Sequence, residues 1–225
     1  MISVIIPAFD EERALPETLE QLLSQPGDYE VIVVDGGSTD GTRRIAASHR
    51  NVQLVQARKG RASQMNAGAA GARGEWLLFL HADTLLPERG LARIAELPAE
   101  VAAGGFRHRF SGRGFGLWFI SLLDNIRCTW SRIIFGDQAM FIRRSLFARL
   151  GGFPNVERLE DVQFCELLVN HTKPVLLDQA VTTDSRKFVQ HGVWRSLMRV
   201  AIILVCVSLG RRLPANSLRF FEDVR

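Results

Sequence analysis

The chain has 225 residues, 47 % of them hydrophobic and 23 % charged, with a formal net charge of +4. That length suits one α/β domain with a full core, and the composition excludes a disordered or fibrous chain. Arginine carries most of the positive charge, since Lys59, Lys173 and Lys187 are the only lysines. No stripe of basic and aromatic residues marks a nucleic-acid surface, so no nucleic-acid partner is expected.

In chain order, the pattern predicts a strand over Ile2 to Pro7 and a helix over Glu11 to Ser24, with leucines at 15, 19, 22 and 23. Glu30 to Asp35 reads as a second strand, buried on both faces because four β-branched residues run together. It ends in Asp35 and a Gly-Gly-Ser-Thr-Asp-Gly turn that opens a helix over Thr42 to His49. Val52 to Gln56 is a third strand, Arg58 to Arg61 a basic loop, Ser63 to Ala72 a small-residue helix and Glu75 to Leu80 a fourth strand. Strands alternating with helices predict a mostly parallel sheet. The second half is less regular. Gly104 to Gly116 reads as a strand and turn, Leu117 to Trp130 as an aromatic-rich helix, and Ala139 to Ile142 as a strand leading into Arg143 to Leu150. Glu160 to Asn170 is a helix and Pro174 to Leu177 a strand.

Cys128, Cys165 and Cys206 are odd in number and far apart, which fits free buried thiols in a reducing compartment. The N-terminus carries no charged and apolar leader pattern, and the apolar run Val200 to Leu209 is far short of the ~20 residues needed to span a bilayer. A cytoplasmic protein is expected, with a buried or interfacial helix at that run.

Ligands of open α/β sheets bind outside the carboxyl ends of the strands. Asp35 stands there, able either to read a nucleobase N–H or to cap the turn and helix that follow. The carboxylates of His81-Ala82-Asp83-Thr84 and Glu160-Asp161 occupy comparable positions, one after a strand and one opening a helix.

Five motifs in order carry a resemblance: Ile5-Ile6-Pro7-Ala8-Phe9-Asp10-Glu11-Glu12, Val34 to Thr42, Phe79 to Thr84, Gly136-Asp137-Gln138-Ala139-Met140-Phe141, and Leu159-Glu160-Asp161-Val162. Together they resemble family 2 glycosyltransferases over roughly residues 1 to 180. Gly60 to Gly68 is similar to a subset of that family with poorly assigned substrates. The resemblance implies a GT-A fold, a Rossmann-like three-layer α/β sandwich with a mostly parallel central sheet. No linker rich in Pro, Gly or Ser separates the halves, which predicts one domain over 1–225, with a nucleotide-binding part at 1–100, an acceptor and catalytic part at 101–190 and a helical tail at 191–225. The implied reaction is inverting transfer of a sugar from a nucleotide-diphosphate donor, usually UDP-linked, with Mg²⁺ or Mn²⁺.

On that implication Pro7 and Ala8 let the base lie against the backbone, Asp35 reads its imide N–H, and Asp10 or Glu12 takes ribose hydroxyls. Arg58 and Arg61 are candidates for the diphosphate, because guanidinium pairs with phosphate through two hydrogen bonds; the alternative is a solvated loop charge. Ala82 and Asp83 fall in the family's metal motif, with Asp83 as the oxygen ligand. His81 stands where the family carries its first acid, and is either a second ligand that favours Mn²⁺ or a structural histidine. Gly136, Asp137, Gln138 and Glu160 line the implied sugar and acceptor pocket. Asp161 is the implied general base, with Glu160 the runner-up, since a helix N-terminus stabilises a carboxylate. Trp118 and Trp130 are candidates to stack on a sugar, and Arg186, Lys187 and Arg195 to reach the pyrophosphate from a closing loop.

The rival reaction is nucleotidyl transfer, which wants a glycine- and lysine-bearing loop after the first strand; Pro7 to Arg13 has neither residue. The rival without chemistry is a nucleotide-sugar-binding protein. Phe115, Trp118, Phe119 and the run at 200–209 admit a lipid-linked acceptor, a peripheral membrane contact or a homodimer.

Overall fold

The computed structural model describes residues 1–156, 159–192, 194, 195 and 198. Two parallel strands form its centre, β1 (Ile2–Ala8) and β2 (Tyr29–Asp35), paired from Ile2 opposite Tyr29 to Ala8 opposite Asp35. Their side chains alternate between two cores. Val4, Ile6, Val31 and Val33 enter one, and Ile5, Ile32 and Val34 enter the other. Both faces are therefore covered, and the run of β-branched residues is what such a strand requires.

The remaining elements are α1 (Leu15–Leu23), α2 (Thr42–Ser48), β3 (Val52–Gln56), α3 (Arg61–Gly71), β4 (Trp76–Phe79), β5 (Thr84–Leu85) and α4 (Gly90–Ala95). There follow β6 (Ala103–Phe110), α5 (Phe115–Ser131), a 3₁₀ turn (Gly136–Gln138), β7 (Phe141–Arg143), α6 (Arg144–Arg149), α7 (Glu160–Leu168), β8 (Val175–Thr183) and α8 (Arg186–His191). Among the described residues the strands make one sheet in the order β3-β2-β1-β4-β7-β6-β8-β5. The β3-β2-β1-β4 half is wholly parallel, as the sequence pattern predicts. The other half is mixed: β7 runs against both β4 and β6, β8 is parallel to β6, and β5 runs against β8.

The differences from expectation have local causes. α1 begins at Leu15 and not at Glu11, because residues 9–14 form a loop bonded to the β2–α2 turn; the Glu11 N–H donates to Thr42 Oγ1 at 2.7 Å. β8 extends to Thr183, beyond the expected Leu177, because β6 pairs with it as far as Phe110 opposite Thr183. β5, α4 and α8 span two, six and six residues, too short to show a period. Cys128 and Cys165 are buried free thiols, and burial pushes Cys128 up to about 11. Cys206 and the run Val200 to Leu209 lie outside the described residues. No helix among the described residues is long and apolar enough to cross a membrane.

α3 packs against β1 and β2 at a glycine. A Cβ on Gly68 would stand 2.5 Å from Ile5 Cγ2 and 3.0 Å from Val34 Cγ2, both buried in the sheet. Gly68→Ala gains roughly 0.5–1 kcal/mol of helix propensity, but the overpacking costs about 1–3 kcal/mol. The expected net result is destabilisation, read as a lower Tm in a thermal melt.

Candidate active site

The carboxyl ends of the central strands are tied together by one buried side chain. Gln64, on α3, donates from Nε2 to the carbonyls of Ala8 and Val34, each at 2.8 Å, and its Oε1 accepts from the Gly60 N–H at 3.3 Å. Beside it Asn66 bonds both backbone groups of Phe153, at 2.8 and 2.9 Å. The Gly60-to-Gly68 segment thus anchors the sheet edge, the basic loop and the 151–154 turn. Sequence reasoning quoted this segment only for its resemblance; a buried amide in a small-residue helix was the available signal.

Asp35 is buried at the end of β2, and its carboxylate accepts the N–H groups of Gly37 (3.1 Å) and Ser38 (3.0 Å), with Arg43 Nε 3.8 Å away. These bonds close the turn and not the helix: α2 has Gly41 at its N-cap with no side-chain cap bond, and Asp40 accepts from the Thr42 N–H at 2.9 Å. Asp10 and Glu12, expected to take ribose hydroxyls, bond the facing loop: Asp10 Oδ1 accepts from the Thr39 N–H (2.7 Å) and Glu12 Oε2 from the Gly41 N–H (2.9 Å). Asp10 has φ 54°, which turns the chain sharply after β1. Pro7 is half-buried and Ala8 buried, side by side at that edge. Arg58 and Arg61 are exposed on the loop before and at the start of α3, and Lys59 Nζ sits 3.7 Å above the Phe9 ring.

The second half of the site gathers around Gly136. Its N–H donates to Asp161 Oδ2 at 2.7 Å, while Asp161 Oδ1 accepts from the Val162 N–H at 2.8 Å. A Cβ on Gly136 would stand 2.7 Å from His81 Nε2 and 3.3 Å from Asp161 Oδ2, so a larger residue there would displace the imidazole. Asp83 is half-buried after β4; burial and the nearby Asp184 raise its pKa, against Arg61 and Arg186. Its carbonyl accepts from the Asp184 N–H at 3.1 Å, and Ala82 O accepts from Thr18 Oγ1 at 2.7 Å. Glu160 is buried, and burial together with Asp161 raises its pKa while Arg61 opposes. Arg61 therefore faces acids from both the β4 end and the start of α7.

Gln138 is fully buried, its Oε1 accepting from the Phe135 N–H at 3.0 Å. Asp137 faces the buried His108 of β6, Nε2 to Oδ2 3.8 Å. Sequence reasoning missed His108, Asp124 and Arg127, which surround Asp137; the signal for His108 was its inward place between Phe106 and Phe110 in an alternating strand. It missed Asp184 as well, which holds Arg186 at 2.5 Å. Among the described residues no three His, Cys, Asp or Glu side chains are grouped to hold a metal by themselves.

The family model of glycosyl transferase family 2 matches residues 3–153. The chain belongs to that family. A Mycobacterium tuberculosis family member, the PGL/p-HBAD biosynthesis glycosyltransferase, is 37 % identical over 166 residues, covering 68 % of this chain and 63 % of that protein. The chain thus spans about three-fifths of the length of that relative. Among solved structures, the mannosyltransferase PcManGT from Pyrobaculum calidifontis, in complex with GDP-Man and Mn²⁺, is 26 % identical at TM-score 0.68, covering 88 % of this chain and 60 % of that one. S. aureus TarS in complex with UDP-GlcNAc shares the fold at TM-score 0.68 and 23 % identity, covering 90 % of this chain and 66 % of that one. The fold is the GT-A fold.

Trp118 and Trp130, candidates to stack on a sugar, are 59 % and 85 % exposed on α5. Arg186, a candidate for the pyrophosphate, is paired with Asp184, while Lys187's side chain lies outside what is described.

Burial pushes Asp137 up to about 6, with Asp124 and Asp161 adding and His108 and Arg127 opposing. A carboxyl raised in the folded state binds more protons folded than unfolded, so stability falls as pH rises from about 4 to about 6. Because 32 % of the side chain is exposed, the cost at neutral pH is discounted to about 1 kcal/mol. Asp137→Asn is therefore expected to melt above wild type near neutral pH, the difference closing toward pH ~4.

Proposed function

We propose that the protein transfers a sugar from a UDP-linked donor to a hydroxyl acceptor, with inversion at the anomeric carbon. The observation that carries this reading is the convergence at Gly136, which sets Asp161 and His81 against one backbone position beside the charged cluster of Asp83, Glu160 and Arg61. Family membership and the nucleotide-sugar complexes of two GT-A neighbours support the donor class.

In this reading the base lies against Pro7 and Ala8, and the buried Asp35 carboxylate, held by two backbone N–H groups, accepts from the uracil imide. Asp10 and Glu12 shape the ribose pocket, since their carboxylates hold the facing loop in place. Arg58 and Arg61 pair with the diphosphate, for which guanidinium supplies two parallel donors. Gly136 and Asp137 border the sugar and acceptor, backed by the buried Gln138 and Glu160.

Asp161 takes the proton of the acceptor hydroxyl as that oxygen forms its bond to the anomeric carbon, and the bond to the diphosphate oxygen breaks on the opposite side. Its two backbone donors fix the carboxylate's orientation, while Glu160 beside it is too buried to meet an acceptor. Asp83, its pKa raised by burial, lies near enough to Asp184 for the like charge to raise it further, which suits a divalent cation, and imidazole is acceptable to Mn²⁺. Asp83, with His81, would hold Mg²⁺ or Mn²⁺, and the ion would neutralise charge on the departing diphosphate.

Isothermal titration with UDP in the presence of Mn²⁺ is expected to show sub-millimolar binding; absence of binding at millimolar UDP overturns the reading. Asp161→Asn is expected to lower sugar transfer, followed as UDP release, by roughly 10²–10⁴-fold with UDP affinity unchanged. Full activity in that variant removes Asp161 as the base. A donor panel of UDP-, GDP- and dTDP-sugars in a thermal-shift assay reads the nucleotide preference.

A further inference from the structure

α5 presents an apolar stripe outward. Phe115, Trp118, Leu122, Leu123, Ile126 and Trp130 are all exposed, and at 100° per residue they fall with Phe119 in an arc of roughly 140°. Trp130 is 85 % and Phe115 67 % exposed. The opposite side buries Leu117, Ile120 and Cys128 and also carries polar groups. Ser121 is buried, Asp124 and Arg127 pair at 2.8 Å, and Asn125 bonds both backbone groups of His108 at 2.8 and 3.0 Å. Surface helices of water-soluble proteins bury an apolar face and expose a polar one, whereas α5 is apolar on its exposed face too. Single exposed apolar residues need no explanation, but a contiguous stripe over a 17-residue helix does.

The stripe is bounded by positive charge. Arg113 precedes the helix and Arg132 follows it, both exposed, and no acidic side chain is exposed between residues 111 and 132. The helix α8 packs on the buried side of α5, with Phe188 on Phe110 beside Leu117 and Ile120, and Val189, Trp194 and Met198 are exposed. A two-fold dimer through α5 would set the arginine-bearing ends of two copies against each other with no acid to pair them. An anionic lipid surface accepts both features: the aromatic and aliphatic stripe enters the acyl boundary, tryptophan favours the interface, and the arginines meet headgroup phosphate.

We propose that the outward face of α5 seats the protein on an anionic membrane surface. The polar side of the same helix faces His108 and Asp137, so docking would hold the 136–138 turn about one helix diameter, ~10 Å, from the lipid. An acceptor hydroxyl carried on a lipid would then be presented to that turn. Docking itself does not rest on the nucleotide chemistry.

The test is vesicle flotation of the full chain, with phosphatidylcholine vesicles compared with vesicles in which a third of the lipid is phosphatidylglycerol. Binding to the anionic vesicles is expected, with tryptophan fluorescence quenched by brominated acyl chains through Trp118 and Trp130. Phe115→Ser, Leu122→Ser and Ile126→Ser together change only exposed positions. They are expected to weaken binding at least about a hundredfold while the thermal melt stays cooperative. Arg113→Gln with Arg132→Gln is expected to weaken binding to anionic vesicles roughly thirtyfold. The proposal is overturned if the folded wild type leaves millimolar vesicles unbound, or if the triple variant binds as wild type does. It is also overturned if sedimentation shows a dimer that the triple variant dissolves with no vesicle binding. The UDP titration reads the nucleotide site separately, so the two failures are distinguishable.

Discussion

The carbonyls of Ala8 and Val34, at the ends of the two central strands, both end on the side-chain amide of Gln64. The Ala8 carbonyl also accepts the Gly36 N–H at 2.9 Å, so the amide adds to the end of the β1–β2 ladder. The same side chain receives the Gly60 N–H. The basic loop is thereby tied to the ends of β1 and β2 by a single side chain. Asp35, Ala8 and Arg61 keep their relation because of it.

From that edge outward, the site is made of loops that complete one another's hydrogen bonds. The β1–α1 loop supplies carboxylates to the β2–α2 loop, and that loop supplies hydroxyl and carboxylate acceptors in return. Neither loop has a regular ladder, so each backbone N–H needs a side-chain partner. The catalytic half follows a different rule. Asp83, Asp137 and Glu160 all have raised proton affinity, chiefly because burial disfavours their charge. Such crowding opposes folding and persists where a site needs carboxylates. Arg61, Arg127 and His108 offset part of it.

α5 joins this crowded half to the surface. Its inward side buries Leu117, Ile120 and Cys128 and supplies Asp124, Asn125 and Arg127 to the surroundings of Asp137. Its outward side is apolar as well, so the same helix both supports the polar site and presents an uncovered hydrophobic stripe.

The order of elements in the first half was legible because parallel strands buried on both faces require continuous β-branched runs, and Val31 to Val34 has no other reading of comparable simplicity. The positions of Asp35, Asp83 and Asp161 at strand ends and a helix start followed from the same pattern. Sequence could not reveal that Asp10 and Glu12 would be engaged by the facing loop, because that contact joins residues nearly thirty positions apart through backbone N–H groups common to every residue. Nor could it place His108 beside Asp137, or give Gly136 its role, since both depend on where β6, α5 and α7 meet. The sequence by itself determined the layered α/β scaffold and the acids along its edge, through periodicity and local turn chemistry. Only the tertiary structure decided which of those acids are already bonded, which are crowded and which face of α5 meets the surroundings, because these follow from distances between elements that no local pattern encodes.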